Sequence, residues 1–182
     1  MMILVAVVIV CVAVTLLNLV LMLGVIRRLR DHSERLVALA ETAPKPELMI
    51  GPGRRPAPFA VETIDGHRIS EADLARGGLV GFFSTTCSAC GEWLPRFVEA
   101  ARALPAGRQG ALAVVSGETE ADRAEMVAQL REVALVVIER GRKEPLHDAF
   151  RITGYPAMGR LDENGTVVSH HAADVVAVPV GA

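Results

Sequence analysis

Two cysteines, Cys87 and Cys90, are the residues of this sequence best suited to chemistry. They open a segment with helical periodicity, 87–104, directly after an apolar stretch, 79–84, that predicts a buried strand. Free backbone N–H groups and the helix dipole at the start of a helix stabilise an anion, and a thiolate is such an anion. The spacing puts Cys90 one turn after Cys87, within reach of a disulfide bond.

This arrangement favours disulfide exchange. A Cys87 thiolate could attack a disulfide of a partner protein, and Cys90 could then resolve the mixed disulfide. A static disulfide or a metal site is the alternative, although structural zinc usually needs four ligands and His170 and His171 are expected to be solvated on an edge strand. Because soft thiolates also bind Cu(I), a copper chaperone or assembly factor remains the alternative to a redox enzyme. We predict no metal ion and no cofactor for the redox reaction.

A proline directly before a predicted strand is the second informative feature. Pro156 follows Tyr155 and precedes the apolar stretch 157–161. Proline is tolerated at the first residue of a strand, so on this pattern alone Pro156 could simply mark where the strand begins.

The rest of the sequence predicts the elements that position these residues. A turn signal at 65–66 predicts a hairpin of strands 59–64 and 67–70. A helix is predicted from Thr119, where Asp122 completes a pattern resembling a capping box. The further predicted elements are strands 79–84, 111–116, 135–138, 157–161 and 166–169 and a short helix 145–150. Strands that alternate with helices in this way indicate an α/β sandwich.

The N-terminal segment 3–26 predicts a membrane anchor. It contains no charged side chain and only two polar ones, Thr15 and Asn18, and it exceeds the roughly 20 residues that cross a bilayer as a helix. A cleaved signal peptide fits less well, because no lysine or arginine precedes the apolar run and because the run is too long. Cys11 lies inside this run and is expected to be a packing residue.

A charged stalk and a linker are predicted after the anchor, over residues 27–58. Leucines spaced among charges between 27 and 42 suit a helix that continues from the anchor. Prolines and glycines concentrated between 44 and 58 exclude a helix there. The globular domain is therefore predicted over 59–182.

Charge bears on partners and on membrane orientation. The net charge of −2 argues against a nucleic-acid partner. Arg27, Arg28 and Arg30 follow the predicted span directly, where they would meet lipid headgroups. By the positive-inside rule, these arginines place the globular domain in the cytoplasm.

The cysteine pair and the proline belong to a recognisable set of motifs. A CxxC pair follows a strand and opens a helix, Pro95 lies five residues after Cys90, Gly-Tyr-Pro precedes a strand, and Asp-x-Asn-Gly follows it. This set resembles the thioredoxin superfamily. Pro-Phe at 58–59 and Ile-Asp-Gly at 64–66 resemble its membrane-tethered TlpA/ResA-like branch. The arginine-rich stalk and Ser-Thr-Thr at 84–86 look most like the MauD-like accessory proteins of methylamine utilisation.

The resemblance implies a thioredoxin-like fold, with a central mixed sheet flanked by helices and an N-terminal β-hairpin, and thiol–disulfide oxidoreductase activity through Cys87 and Cys90. Pro156 would match the family's cis-proline, which lies beside the cysteines and shapes the substrate-binding surface, and Tyr155 and Thr86 would bind substrate together with it. The implied partners are protein thiols or disulfides and a transmembrane or soluble redox donor or acceptor. The direction, oxidation or reduction, stays open.

Location follows from the same resemblance. MauD-like proteins are linked to disulfide formation in a partner enzyme outside the cytoplasmic membrane. The resemblance therefore predicts a single-pass membrane protein whose soluble domain is extracytoplasmic, which disagrees with the charge rule.

The sequence departs from the family pattern around the cysteines. Gly81 stands where thioredoxins often bury an acid, and Trp93 stands where ResA-like proteins carry a glutamate. Glu92, the nearest acid, shares a helix face with Arg96 and is predicted to be solvated. Residues 172–182 show no amphipathic period, so the C-terminal helix is expected to be short or absent and one sheet face under-covered.

Overall fold

The computed structural model describes residues 47–177 except positions 75 and 142, together with Met1 and positions 18, 19, 21, 22 and 28. The chain divides into two compact units, Met1–Pro46 and Glu47–Ala182. The predicted anchor 3–26 lies largely outside the described residues, and Cys11 lies outside them. Within the part of the chain that is described, no helix has both the length and the hydropathy needed to cross a membrane.

A five-stranded mixed sheet forms the centre of the second unit. Its strands are β3 (Gly78–Ser84), β4 (Ala111–Ser116), β5 (Leu135–Glu139), β6 (Ala157–Leu161) and β7 (Val167–Ser169), preceded by a separate hairpin of β1 (Ala60–Glu62) and β2 (Arg68–Ser70). The strand order is β5-β4-β3-β6-β7. Strands β3, β4 and β5 are parallel, whereas β6 is antiparallel to β3 and to β7. The predicted hairpin and mixed sheet are confirmed.

Helices pack on the two faces of this sheet. In the described region they are α1 (Ser88–Arg102), α2 (Glu120–Leu130), α3 (Pro145–Phe150) and α4 (Ala172–Ala177), with short 3₁₀ helices at Glu71–Leu74 and Gly107–Gly110. Helix α2 begins with the predicted capping box: Thr119 Oγ1 accepts from the Asp122 N–H and the Asp122 carboxylate accepts from the Thr119 N–H, both at 3.2 Å. These two bonds satisfy donors that would otherwise be free at the helix start.

The sheet separates two hydrophobic clusters. Neighbouring residues of a strand point to opposite faces, so Phe83 packs edge-on to Phe97 of α1, with ring centroids 5.3 Å apart, while Phe82 packs against Phe150 of α3 at 5.4 Å. Helices α1, α2 and α4 contribute to the first cluster, and α3 contributes to the second. Both faces of the central strands are thus covered, which accounts for their continuous apolar sequence.

The segment 47–58 belongs to the compact domain rather than to a linker. Met49 and Ile50 are buried in the second cluster. The Ile50 N–H donates to the Phe150 carbonyl at 2.9 Å, and the Gly53 N–H donates to the Val167 carbonyl at 2.8 Å. The prolines and glycines do exclude a helix, as predicted, but the apolar residues between them supply core contacts. The domain boundary is therefore at Glu47, twelve residues before the predicted start.

The C-terminal helix α4 is short, with six residues. Val175 is fully buried in the first cluster, and α4 packs against α1 and β6. Of the two expectations for the C-terminal helix, short or absent, the structure shows a short helix, and this helix reduces the expected under-covering of a sheet face. Positions 178–182 lie outside the described residues.

Replacing Ile50 by alanine tests whether the segment 47–58 contributes to the core. We expect Ile50→Ala to lower the free energy of unfolding by about 2–4 kcal/mol, because it removes buried methyl groups and leaves a cavity. The exposed Arg54 provides a matched control, and Arg54→Ala should stay within about 0.5 kcal/mol of the unaltered chain. Denaturant unfolding followed by fluorescence of Trp93, the chain's single tryptophan, measures both changes. Equal, small effects of the two substitutions would mean that the segment is a linker.

Candidate active site

Cys87 lies at the junction of the central strand β3 and helix α1. The strand ends at Ser84, and Cys87 is the N-cap of α1 with an extended backbone, φ −98° and ψ 109°. Its sulfur accepts a hydrogen bond from the Cys90 backbone N–H at 3.2 Å. This N–H belongs to the first turn of α1, and backbone N–H groups at the start of a helix are favourable partners for an anion. The predicted placement at a helix start is confirmed.

The two cysteines differ in exposure. Cys87 is partly exposed, whereas Cys90 is fully buried in the first cluster, and both are free thiols. Burial, followed by the contact with the Cys87 sulfur, raises the pKa of Cys90 to about 12. At neutral pH Cys90 is therefore a protonated thiol behind an accessible Cys87. A pair with this asymmetry suits one attacking and one resolving sulfur.

Pro156 and Tyr155 lie at the same end of the sheet as the cysteine pair. The Tyr155–Pro156 peptide bond is cis, as the resemblance implied. Ala157 of β6 pairs with Phe82 of β3, so the loop before β6 reaches the end of β3 from which the Cys87 loop departs. Tyr155 packs against the first cluster, which includes Cys90 and against which Cys87 also packs.

The loop before the cis bond is braced by the segment that the sequence analysis assigned to a linker. The Thr153 N–H donates to the Leu48 carbonyl and Thr153 Oγ1 donates to the Glu47 carbonyl, both at 3.0 Å. A side chain at Gly154 would meet Leu48, because an added Cβ would lie 3.0 Å from Leu48 Cδ2. The Leu48 side chain would therefore have to shift to admit a larger residue at position 154.

Thr86 is exposed and directly precedes Cys87. Its N–H donates to Ser84 Oγ at 3.3 Å, and its hydroxyl lies 3.0 Å from the same oxygen. These bonds hold the tight turn between β3 and Cys87. A contact of Thr86 with substrate stays a prediction.

A buried network of hydrogen-bonded polar side chains, which sequence reasoning missed, connects Glu139 through His147 to Tyr155 and Ser116. His147 Nδ1 lies 2.5 Å from Glu139 Oε2, His147 Nε2 lies 2.6 Å from Tyr155 Oη, and Tyr155 Oη lies 3.3 Å from Ser116 Oγ. Glu139 is 3% exposed and His147 is 1% exposed. A glutamate ending an otherwise apolar strand, with a histidine eight residues on, was the available signal.

Comparisons with known proteins bear on the fold. No protein-family model matches the chain, and no curated protein matches it. Solved structures do. The thioredoxin domain of a thiol-disulfide oxidoreductase from Bacteroides vulgatus is 16% identical over 67% of this chain and 89% of its own, with a TM-score of 0.53. A thiol:disulfide interchange protein from a Bacteroides species is 19% identical over 70% and 86%, with a TM-score of 0.55.

A third structure agrees with these two. It is a thioredoxin family thiol:disulfide interchange protein from Chlorobium tepidum, 22% identical over 72% of this chain and 99% of its own, with a TM-score of 0.52. This chain has a thioredoxin-like fold. At these identities the likeness establishes the fold, and the function has to be argued from the site.

The thioredoxin-like domain has no room for an acid beneath its cysteines. At Gly81, an added Cβ would lie 2.8 Å from ring atoms of both Phe83 and Phe97. Two aromatic rings therefore occupy the space in which the family often buries a carboxylate. Glu92 forms an exposed ion pair with Arg96 at 3.0 Å, so its predicted solvation is confirmed.

His170 and His171 follow strand β7 and are partly buried, so the expectation that they are solvated on the edge strand is wrong. The rings of His170 and His171 are 4.1 Å apart. Burial, followed by the neighbouring His171, lowers the pKa of His170. Across the described residues, no group of three or more histidine, cysteine or acidic side chains is arranged to hold a metal ion.

The difference between the two thiols predicts selective alkylation. In the reduced protein at about pH 8, iodoacetamide should modify Cys87 at least about tenfold faster than Cys90, because the thiolate is the reactive form. A pKa of about 12 keeps Cys90 protonated, so its rate should climb steeply as the pH rises toward that value. Mass spectrometry of quenched, digested samples locates the label. The chain unfolded in urea is the control, in which the two rates should converge, and equal rates in the folded chain would contradict the prediction.

Proposed function

We propose that this protein is a thiol–disulfide oxidoreductase that exchanges disulfides with protein partners through Cys87 and Cys90. The observation that carries the proposal is the pairing of an accessible, N-capping Cys87 with a buried Cys90 whose N–H bonds the Cys87 sulfur at 3.2 Å. The cis Tyr155–Pro156 bond at the same end of the sheet adds a neighbouring backbone surface. The thioredoxin-like fold is consistent with this activity and does not by itself establish it.

The exchange follows from the asymmetry of the two sulfurs. The Cys87 thiolate attacks one sulfur of a partner disulfide, a bond forms between them, and the partner's other sulfur leaves as a thiolate. Cys90 then loses its proton and attacks the Cys87 sulfur, which releases the partner's first sulfur as a second thiolate. The Cys87–Cys90 pair is oxidised by two electrons, the partner disulfide is reduced by two, and each released thiolate takes up a proton. The reverse sequence oxidises a partner dithiol.

Direction and partner class are part of the proposal. The direction follows from the redox potential of the Cys87–Cys90 couple, and such couples range from about −270 mV for reductants to about −120 mV for oxidants. By resemblance to MauD-like proteins, we propose a role in the maturation of a partner enzyme. The redox donor or acceptor of the pair would be a transmembrane or soluble protein.

Replacing Cys90 by serine should trap a partner. In Cys90→Ser the first attack can occur and the resolving attack cannot, so a mixed disulfide between Cys87 and the partner should accumulate. Non-reducing electrophoresis of cell extracts should show adducts that disappear on reduction. The double variant Cys87→Ser/Cys90→Ser is the matched control and should give none. If no adduct forms and the reduced protein binds one equivalent of Cu(I), the copper-chaperone alternative is favoured.

We also propose that residues 3–26 anchor the protein and that its soluble domain lies outside the cytoplasm. The length of the apolar run and the resemblance to membrane-tethered proteins support this proposal, while Arg27, Arg28 and Arg30 oppose the orientation.

A membrane-impermeant thiol reagent distinguishes the two orientations. Applied to intact cells from which any outer barrier has been removed, it should label Cys87, since Cys87 is the accessible thiol of the domain. The Cys87→Ser variant controls for other labelled cysteines. Labelling that requires lysis would place the domain in the cytoplasm, as the charge rule predicts.

A further inference from the structure

A buried polar network needs a functional explanation; it consists of Glu139, His147, Tyr155 and Ser116. Removing charged and polar groups from water costs free energy, and buried ion pairs are frequently no more stabilising than apolar side chains of similar volume. The network lies in the second cluster, where Phe82 packs edge-on to the His147 ring at 5.4 Å. Stability alone is therefore a weak reason for its presence.

The geometry fixes the orientation of the imidazole. Glu139 Oε1 accepts from the Leu146 N–H at 2.8 Å, and Oε2 accepts from the His147 N–H at 3.1 Å. These donors belong to the first turn of α3, so the carboxylate is held at the start of that helix. The same Oε2 lies 2.5 Å from His147 Nδ1, and His147 Nε2 lies 2.6 Å from the Tyr155 hydroxyl, which also donates to Ser116 Oγ at 3.3 Å.

The polar network includes Tyr155, the residue next to the proline loop at the cysteine end of the sheet. Tyr155 is bonded through the cis peptide to Pro156, and its ring packs against both hydrophobic clusters. Its hydroxyl is anchored on the far side of the sheet from Cys90, at a distance of 2.6 Å from His147. Anchoring the ring at its tip restricts the rotamers of Tyr155 and with them the backbone beside the cysteines.

We propose that Glu139 and His147 are positioning residues of thiol–disulfide exchange, which hold the Tyr155 hydroxyl so that the Tyr155–Pro156 backbone is preset to bind an extended polypeptide segment beside Cys87. This inference rests on the proposed function and deepens it, because it assigns the groups that fix the substrate loop. The residues act through Tyr155. Their loss should therefore weaken the reaction with polypeptide disulfides more than the reaction with small disulfides, which need no extended contact.

Three variants distinguish the contact at His147 Nδ1 from the contact at His147 Nε2. Tyr155→Phe keeps the ring and removes the hydroxyl. His147→Asn keeps an amide near the position of Nδ1, beside Glu139, and does not reach Tyr155. His147→Gln places an amide near the position of Nε2 and can still meet the Tyr155 hydroxyl.

The measurement compares kcat/KM for a disulfide-bonded peptide with kcat/KM for a small aromatic disulfide, in the full-length protein. We expect the ratio to fall about tenfold in Tyr155→Phe and in His147→Asn, as the loss of one buried hydrogen bond predicts, with most of the change in KM for the peptide. His147→Gln should restore part of the ratio. The double variant Tyr155→Phe/His147→Asn should be no worse than the more severe single variant, because both substitutions break the same contact.

A matched control separates positioning from general loss of stability. Val137→Ala creates a cavity in β5, on the same sheet face and two residues before Glu139, without touching the polar network. It should lower stability and leave the ratio unchanged. An equal fall of the ratio in Val137→Ala, or an unchanged ratio in Tyr155→Phe, would overturn the inference while the exchange activity stands. An unaltered protein that reacts with neither disulfide would overturn the proposed function and the inference together.

Discussion

The hydrogen bond from the Cys90 backbone N–H to the Cys87 sulfur is the contact on which the site depends. It forms because β3 ends before Cys87 and α1 begins directly after it, so that the Cys90 N–H of the first helical turn donates to the Cys87 sulfur at 3.2 Å as well as to the Cys87 carbonyl at 3.1 Å. A longer connection would move the sulfur away from the helix axis. Hydrogen bonds between Ser84 and Thr86 keep the connection between β3 and α1 short.

The sheet keeps the buried carboxylate and the cysteine pair on opposite faces. Ser84, Ser116 and Glu139 are register partners across β3, β4 and β5, so their side chains line one face, whereas Cys90 belongs to the cluster on the other. Aromatic rings around Gly81 exclude a carboxylate from the cysteine side. Tyr155 packs against both clusters.

The features that could be predicted from the sequence are those with a local signal. A strand of apolar residues, the capping box at Thr119 and the CxxC pair each depend on a few consecutive residues, and each lies where it was expected. The bracing of Thr153 by Leu48 and the bond between His147 and Tyr155 join residues that are distant in sequence or belong to different elements. A short apolar run among prolines shows no hydrophobic periodicity, so the burial of Ile50 in the core could not be predicted from the sequence.

The loop before β6 is braced at two points by such non-local contacts, and under the proposed function this has a consequence for the binding of a partner polypeptide. Thr153 is held by the backbone of Glu47 and Leu48, and Tyr155 is held by His147. A loop restrained at two points loses little conformational freedom when it binds an extended segment, so more of the contact energy remains as affinity. A backbone surface of this kind recognises polypeptide shape rather than particular side chains. Under the proposed function, selectivity among partners then comes from the exposed residues around Cys87, of which Thr86 and Ser88 are its immediate neighbours.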